Sequence, residues 1–350
     1  MSGGVDSSAA ALVLQRSGYA VTGVTLRLRS PELMGEDLPK SGCSPSDIED
    51  AQAVAAHIGI PHLVLDFTEQ FRESVVARFV SEYLSGRTPN PCIFCNQSLK
   101  FGAMLDYAEA HGFDYVATGH YAEIRQNTAG RWTLRRSPNG KDQSYVLYFL
   151  SQHQLAHTLM PLFPYTKVEV RQIARDAGLP VAQKPDSQDI CFIKGCSYAS
   201  FLEAYTGKPL RPGDFVDETG MVLGRHKGIP NYTIGQRKGI GLSFSEPRYV
   251  TRIDAKTNQI ILGREGSQYS ASLLADGLHF IPFDRLSEPL ATTAKIRYQA
   301  PPAQAVITPC GDGQVRVDFA EPQRSVTPGQ AVVFYDGDEL VGGGTIQTAL

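Results

Sequence analysis

The chain has 350 residues, 42% of them hydrophobic, which is enough for two or three domains with a sizeable buried core. No stretch is apolar for long enough to span a bilayer, and the N-terminus lacks the basic, apolar and small-residue order of a signal peptide, so a cytoplasmic protein is expected. The formal net charge of −3 excludes a molecule coated in positive charge, yet leaves room for local basic patches around Arg131, Arg135, Arg136 and Lys141, and around Arg225, His226, Lys227, Arg237 and Lys238.

Residues after Asp6 predict a helix, with Ala9, Leu12, Val13 and Arg16 at helical spacing and Gly18 as its stop. Residues 21–28 predict a strand. Ser46-Asp47-Ile48-Glu49 has capping-box spacing and opens a helix that Gly59 closes. Leu63-Val64-Leu65 predicts a short buried strand, and helices follow around 71–84 and 99–110. Tyr115-Val116-Ala117 predicts another strand, ending at Thr118-Gly119-His120. Thr166 and Glu169 form a second capping box, whose helix stops at Gly178. Strands alternating with helices imply an α/β domain with a parallel sheet covered on both faces.

From about Pro209 the pattern changes to Gly, Pro and alternating β-branched residues. Two strand patterns, 249–253 and 259–262, flank Lys256-Thr257-Asn258 as a hairpin. Residues 294–298, 314–319 and 330–335 read the same way, so this half is expected to be all-β and barrel-like. The expected division is residues 1–200 for the α/β domain, 201–265 for a small mostly-β central domain and 266–350 for a C-terminal β-barrel.

Ser2-Gly3-Gly4-Val5-Asp6-Ser7-Ser8 runs directly into the first helix. Two glycines let the backbone approach an anion, and a helix N-terminus offers N–H groups and a positive dipole end. The serines add hydroxyl donors. No Lys follows the loop, so it is not a Walker A sequence. It resembles the pyrophosphate loop of the N-type ATP pyrophosphatases, which implies that Asp6 helps to position Mg²⁺. A loop of this kind normally follows an apolar strand, whereas here it stands at residue 1.

Of six cysteines, Cys92 and Cys95 form a CxxC at the start of a predicted helix, where a thiol deprotonates more readily. Cys191 follows the polar run Asp186–Asp189, with Phe192 and Ile193 after it, as for a thiol at a pocket wall. No second pair completes a four-ligand zinc site. Cys43, Cys196 and Cys310 carry no motif and are read as structural.

SGGVDSS, TPNPxxxCN, ATGHY, KDQSY, ICFI, GQRKG, IRYQ and TPGQAVVFY occur in this order along the whole chain. Together they resemble the tRNA-specific 2-thiouridylase family. The resemblance implies an ATP pyrophosphatase (HUP, Rossmann-like) domain, ATP-dependent 2-thiolation of the wobble uridine (position 34) of tRNA, and release of AMP and pyrophosphate. It implies that Met1, Ser2, Gly3, Gly4, Val5, Asp6, Ser7 and Ser8 hold the ATP phosphates, and that Leu26 and Gly119 line the nucleotide site. Cys95 is similar to the family's nucleophile and Cys191 to its persulfide carrier. Asn90, Pro91 and Cys92 correspond to residues facing the target base, and His120, Lys141, Asp142, Gln143, Arg297, Tyr298 and Gln330 to tRNA contacts. The implied partners are tRNA and a sulfur donor: a cysteine desulfurase, a relay protein or inorganic sulfide.

Family members carry Asp where this chain has Cys92. Cys92, Cys95 and Cys191 are therefore alternative ligands for a [4Fe–4S] cluster with one open iron, and the persulfide and cluster routes both stand. Rival readings are a 4-thiouridine or 2-thiocytidine tRNA thiolase, another enzyme with this loop such as GMP synthetase or argininosuccinate synthetase, and a non-catalytic tRNA-binding or iron–sulfur carrier protein.

Overall fold

The computed structural model describes residues 1–29, 45–185, 190–193 and 195–350. Cys43 and the Asp186–Asp189 run lie outside the described residues. The chain divides into two compact units: residues 1–76, 92–196 and 338–340, and residues 77–91, 197–337 and 341–350.

The first unit is α/β. Helix α1 (Val5–Arg16) ends before Gly18, whose φ of 88° is the left-handed conformation that stops a helix. Strand β1 (Gly23–Arg27) pairs in parallel with β2 (His62–Asp66), from Gly23↔His62 to Arg27↔Asp66. Between them, α2 (Pro45–Ile58) ends at Gly59, with Gly59 N–H donating to Ala56 O and Ile60 N–H to Ala55 O. Ser46 lies inside the first turn of α2, two residues past the position that would cap it. Leu63, Val64 and Leu65 are half-buried, not buried as expected, because β2 pairs only with β1 among the described residues.

Both middle helices are longer than periodicity predicts. The first runs as α3 (Thr68–Phe71), a π-helical stretch (Arg72–Ala77) and α4 (Arg78–Leu84). The second runs as α5 (Pro91–Cys95), a π-helical stretch (Asn96–Ala103) and α6 (Met104–Ala110). Its start falls at Pro91, eight residues before the expected one, because a proline supplies the helical φ of a first turn and needs no N–H partner there. Strand β3 (Val116–Ala117) precedes a hairpin, β4 (Ala122–Gln126) and β5 (Trp132–Arg136), which the sequence reading missed. Helix α7 (Gln152–Ala156) leads into β6 (Thr158–Leu159), which pairs in parallel with β3. Helix α8 (Lys167–Asp176) carries the predicted Thr166/Glu169 capping box and ends at Gly178, φ 64°. Among the described residues the parallel strands form two two-stranded ladders, not one continuous sheet.

The second unit begins with α9 (Tyr198–Thr206). Phe79 and Tyr83 stack edge-on or tilted against Tyr198, with ring centroids 6.0 Å and 5.6 Å away. A four-stranded sheet follows in the order β8 (Val222–His226), β7 (Gly213–Val216), β10 (Gln259–Gly263), β9 (Tyr249–Asp254). Its β9–β10 hairpin turns at Asn258, φ 54°, as an Asn tolerates. Six further strands close on themselves: β11 (Tyr269–Phe280), β14 (Val315–Arg324), β13 (Ala303–Pro309), β12 (Leu290–Lys295), β15 (Ala331–Asp336) and β16 (Glu339–Ala349), with β11 bonded back to β16. Closure leaves no open edge. Leu273, Ile307, Val317, Val332, Phe334 and Ile346 fill the interior with no exposed surface. No helix among the described residues is long and apolar enough to cross a membrane.

Candidate nucleotide and thiol site

The SGG loop turns into α1 at Gly4, the N-cap, and Gly3 stands at φ 64°. A side chain at Gly3 would run into the Asp47 carbonyl, so glycine is required both for the backbone angle and for the close approach. Lys184 fixes that neighbour by ion pairs of 2.7 Å to Asp47 and 2.6 Å to Asp50. Burial lowers the Lys184 pKa, but the two carboxylates outweigh it and the net shift is upward. Met1 lies alongside β1, its carbonyl accepting a 2.8 Å hydrogen bond from Thr25 Oγ1.

Asp6 gathers three donors. Tyr121 Oη donates at 2.8 Å, Lys141 Nζ lies at 2.9 Å and Lys167 Nζ at 2.6 Å. Two ammonium groups on one carboxylate leave a net positive centre at the N-terminus of α1, and Lys167 is also the first residue of α8. The arrangement suits a polyanion. It gives Asp6 a role beyond the expected Mg²⁺ contact, namely holding two lysines beside the loop. Lys167 and Tyr121 were missed in the sequence reading. The local signals were Tyr121's place at the end of the ATGHY motif and Lys167's place next to the Thr166 cap.

The serines divide. Ser7 faces the cavity described below, while Ser8 is fully buried with its hydroxyl on Gly4 O at 2.9 Å, so it is no ligand donor. Val5 likewise packs into the core.

A cavity of about 960 Å³ opens at the loop, and Met1, Ser2, Asp6, Ser7, Leu26, Lys100, Gly119, His120 and Gln143 are among its walls. Leu26 and Gly119 are thus both on the wall of this cavity. A Cβ on Gly119 would lie 2.8 Å from the Asp6 carbonyl carbon and 3.0 Å from Ser7 N, so this glycine backs the loop directly. Gln143 is tied to Tyr121 in both directions, its Oε1 accepting from Tyr121 N–H at 3.2 Å and its own N–H donating to Tyr121 O at 2.9 Å. Asp142 pairs with Arg136 at 3.4 Å.

His120 is buried beside Phe101, with its Nδ1 2.9 Å from Thr118 Oγ1. Burial, reinforced by Lys100 and Lys141, holds its pKa well below 6.5, so the ring is neutral at physiological pH. Below about pH 6.5 the unfolded chain takes up a proton that the folded chain refuses, so stability falls as the medium is acidified. Urea titrations between about pH 5 and about pH 7 should show the wild type losing up to about 1.4 kcal/mol per pH unit relative to His120→Gln. Parallel profiles for the two proteins would place the imidazole in contact with water.

Among the described cysteines, Cys92, Cys95, Cys191, Cys196 and Cys310 form no disulfide. Cys92 stands on the first turn of α5 but, contrary to the helix-terminus expectation, its thiol is pushed up. It reaches solvent within a crowded setting whose desolvation outweighs the pull of Lys100. Cys95 is half-buried at the junction with the π-helical stretch, where Ser98 Oγ donates to Phe94 O at 2.6 Å. The next residue, Asn96, is buried and donates to Val146 O at 3.1 Å. Cys191 is exposed and is no core hydrophobe. Its neighbour Phe192 is the buried anchor, edge-on to Phe71 with centroids 5.6 Å apart. Cys310 is exposed just after β13, so it is not a core residue either.

The Arg135–Lys141 cluster is largely neutralised: Arg135 pairs with Glu123 at 3.4 Å, Arg136 with Asp142 and Lys141 with Asp6. In the second unit, the GQRKG turn is built by Gln236, which accepts from Thr233 N–H at 3.0 Å and donates to Lys238 O at 2.9 Å, and it presents exposed Arg237 and Lys238. Arg297 is exposed, and the Tyr298 ring lies 5.9 Å from Lys295 Nζ. Gln330 donates to Thr88 O at 2.8 Å, and Thr88 N–H donates to Pro328 O at 2.9 Å. The Pro328–Gln330 corner therefore clamps the segment leading to Asn90 and Pro91, a role the motif did not suggest.

A glycine loop opening into a helix N-terminus in an α/β domain, followed by two β modules, is the arrangement of a HUP-fold protein with appended barrels. Residues 1–195 match the tRNA methyl transferase HUP domain, 199–264 the tRNA methyl transferase PRC-barrel domain and 270–346 the aminomethyltransferase beta-barrel domain. The tRNA-specific 2-thiouridylase MnmA of Acetivibrio thermocellus is 51% identical over 350 residues, covering 99% of this chain and 98% of its own. The proteins of the same name from Desulforamulus reducens and Clostridium acetobutylicum are each 49% identical, over 100% and 99% of this chain and 96% and 98% of theirs. The chain belongs to the tRNA-specific 2-thiouridylase family. Among solved structures, NMN synthetase from Francisella tularensis aligns at 18% identity over 60% of this chain and 76% of that one, with a TM-score of 0.33, too low for a shared fold to be read from it.

Proposed function

We propose that the protein is an ATP-dependent tRNA-uridine 2-sulfurtransferase acting on the wobble uridine. The observation that carries this reading is the positive centre formed by Asp6, Lys141 and Lys167 at the N-terminus of α1, opening into the cavity beside Gly119 and Leu26. The uridine 2-oxygen is a poor leaving group. Its attack on the α-phosphorus of ATP releases pyrophosphate and makes AMP the leaving group. Lys141, Lys167 and the α1 N–H groups are suited to receive the departing pyrophosphate, with Mg²⁺ carried on the phosphates. The base must leave its stack to reach such a cavity. Exposed Lys227, Arg237, Lys238 and Arg297 support phosphate contacts to tRNA from the second unit.

Sulfur then displaces AMP at C2. On the persulfide route, the outer sulfur carried by Cys191 attacks C2 and expels AMP. Cys95 then attacks the Cys191 sulfur, so that the S–S bond breaks, the outer sulfur stays on carbon as the thiocarbonyl and a Cys95–Cys191 disulfide is left for an external thiol to reduce. The exposure of Cys191 suits loading by a donor protein. On the cluster route, Cys92, Cys95 and Cys191 are the residues that would hold [4Fe–4S], which when bound would present sulfide at an open iron. The only described side chains whose ligand atoms converge within 4.8 Å are Glu109, His153 and His157, so the three thiols do not form a single-ion site. A cluster holds its thiolates at separate iron corners and needs no such convergence.

Purified protein, unmodified tRNA, ATP and a sulfide source should yield 2-thiouridine, detected by nucleoside mass spectrometry. Formation of 4-thiouridine or 2-thiocytidine instead would assign the protein to a sister activity. Anaerobic purification separates the two sulfur routes. A brown protein that loses iron and activity in both Cys92→Ala and Cys92→Asp requires the cluster, whereas an active, iron-free wild type removes it.

A further inference from the structure

Helix α7 is short but firmly held. Ser151 and Gln154 form its capping box, Gln154 Nε2 donates to Phe101 O at 2.6 Å, and Gln152 is bonded to Trp132 in both directions at 2.8 Å and 2.9 Å. Leu155 is fully buried. With the intervening residues anchored inward, His153 and His157 meet Glu109 of α6 on the outer side. Glu109 Oε1 lies 2.6 Å from His153 Nε2, and the two imidazole rings are 4.6 Å apart.

His157 Nδ1 lies 3.0 Å from the His153 carbonyl oxygen, within hydrogen-bond reach. A carbonyl only accepts, so Nδ1 is the donor here and, in the neutral ring, Nε2 keeps the lone pair that a metal can take. This is the arrangement that orients a metal-ligating histidine. The ligand atoms of Glu109, His153 and His157 lie within 4.8 Å of one another. Zinc bonds of about 2.0–2.2 Å place ligand atoms somewhat over 3 Å apart, so only small side-chain adjustments are needed.

We propose that Glu109, His153 and His157 form a binding site for a divalent transition metal of the zinc class, separate from the nucleotide and thiol chemistry. Two imidazoles and a carboxylate are a ligand set suited to zinc, nickel or cobalt and too nitrogen-rich for magnesium or calcium. Binding replaces the His153–Glu109 hydrogen bond and leaves water in the remaining position. The metal links α6 to the α7–β6 junction, where His157 O accepts from Val116 N–H at 2.9 Å. Met104, Tyr107, Val116 and Leu159 of these same elements line the cavity, so the ion clips one of its walls.

Tag-free protein stripped with chelator should be titrated with Co²⁺ and followed by visible absorption. The expected result is one equivalent with a nitrogen/oxygen-type d–d spectrum, lacking a thiolate charge-transfer band. His153→Ala and His157→Ala should each weaken this binding at least about tenfold, since loss of even an outer-shell partner costs about 10–100-fold. His111→Ala, altering an exposed histidine on the same helix end, should leave it unchanged. Circular dichroism in chelator confirms that the variants fold. A d–d signal that survives both substitutions, a spectrum showing thiolate bands alone, or no binding to wild type at micromolar Co²⁺ would overturn the site.

Discussion

Asp6→Ala is expected to abolish ATP–pyrophosphate exchange while leaving tRNA binding close to wild type. The carboxylate touches three groups from distant parts of the chain: Tyr121 Oη, Lys141 Nζ and Lys167 Nζ. Removing it leaves two ammonium groups facing each other without their shared counter-charge, so both swing away from the loop. The loss of pre-organised cations at a departing pyrophosphate should lower turnover about 10²–10³-fold, the range seen when a fixed charge-stabilising group is deleted. Asp6→Asn keeps the shape and one acceptor but not the charge, and should fall between the two. The exposed basic residues Arg237, Lys238 and Arg297 lie in the other unit, so a gel-shift titration with tRNA should hardly move. Equal loss of exchange and tRNA binding in a variant that melts like the wild type would mean that the loop itself holds RNA.

Gly119→Val should cause the second large loss, through packing instead of charge. Even a single methyl at residue 119 would come within 2.8 Å of the Asp6 carbonyl carbon and 3.0 Å of its oxygen, and these are backbone atoms that cannot rotate aside. The branched side chain must push the phosphate loop away from its wall. Overpacking of this kind costs about 1–3 kcal/mol of stability, and a displaced loop loses its N–H geometry toward the phosphates. Calorimetric titration should show ATP affinity lowered at least about tenfold for Val, as expected for about 1.4 kcal/mol or more, with Gly119→Ala in between. Wild-type affinity in the Val variant would show that the loop moves freely against residue 119.

Local chemistry made much of the architecture legible. Gly18, Gly59 and Gly178 all take left-handed angles at helix ends, because only a residue without Cβ accepts them cheaply. The Thr166/Glu169 box caps α8, and Asn258 turns the β9–β10 hairpin. The SGG loop was legible because two glycines leading into a helix N-terminus are adjacent in the chain. Where local signals misled, a neighbour overrode them. Cys92 has a helix-terminus address, yet the desolvation of its crowded setting outweighs the pull of Lys100 and raises its pKa. Ser8 belongs to the loop sequence, yet its hydroxyl is turned onto Gly4.

The sequence by itself determined the phosphate loop, the helix stops, the change from α/β to all-β and, through motif order, the family. Only the tertiary structure decided which cations serve the loop. Lys167 and Asp6 are 161 residues apart, and no periodicity connects them. It also decided that the arginines and lysine around Lys141 are largely paired, that His120 is neutral, that Gln330 clamps Thr88 and that β11 returns to β16 to close the barrel. The physical reason is common to all of these. Helix caps and turns are satisfied within a few residues, whereas ion pairs, desolvation and barrel closure depend on which distant segments the fold brings together.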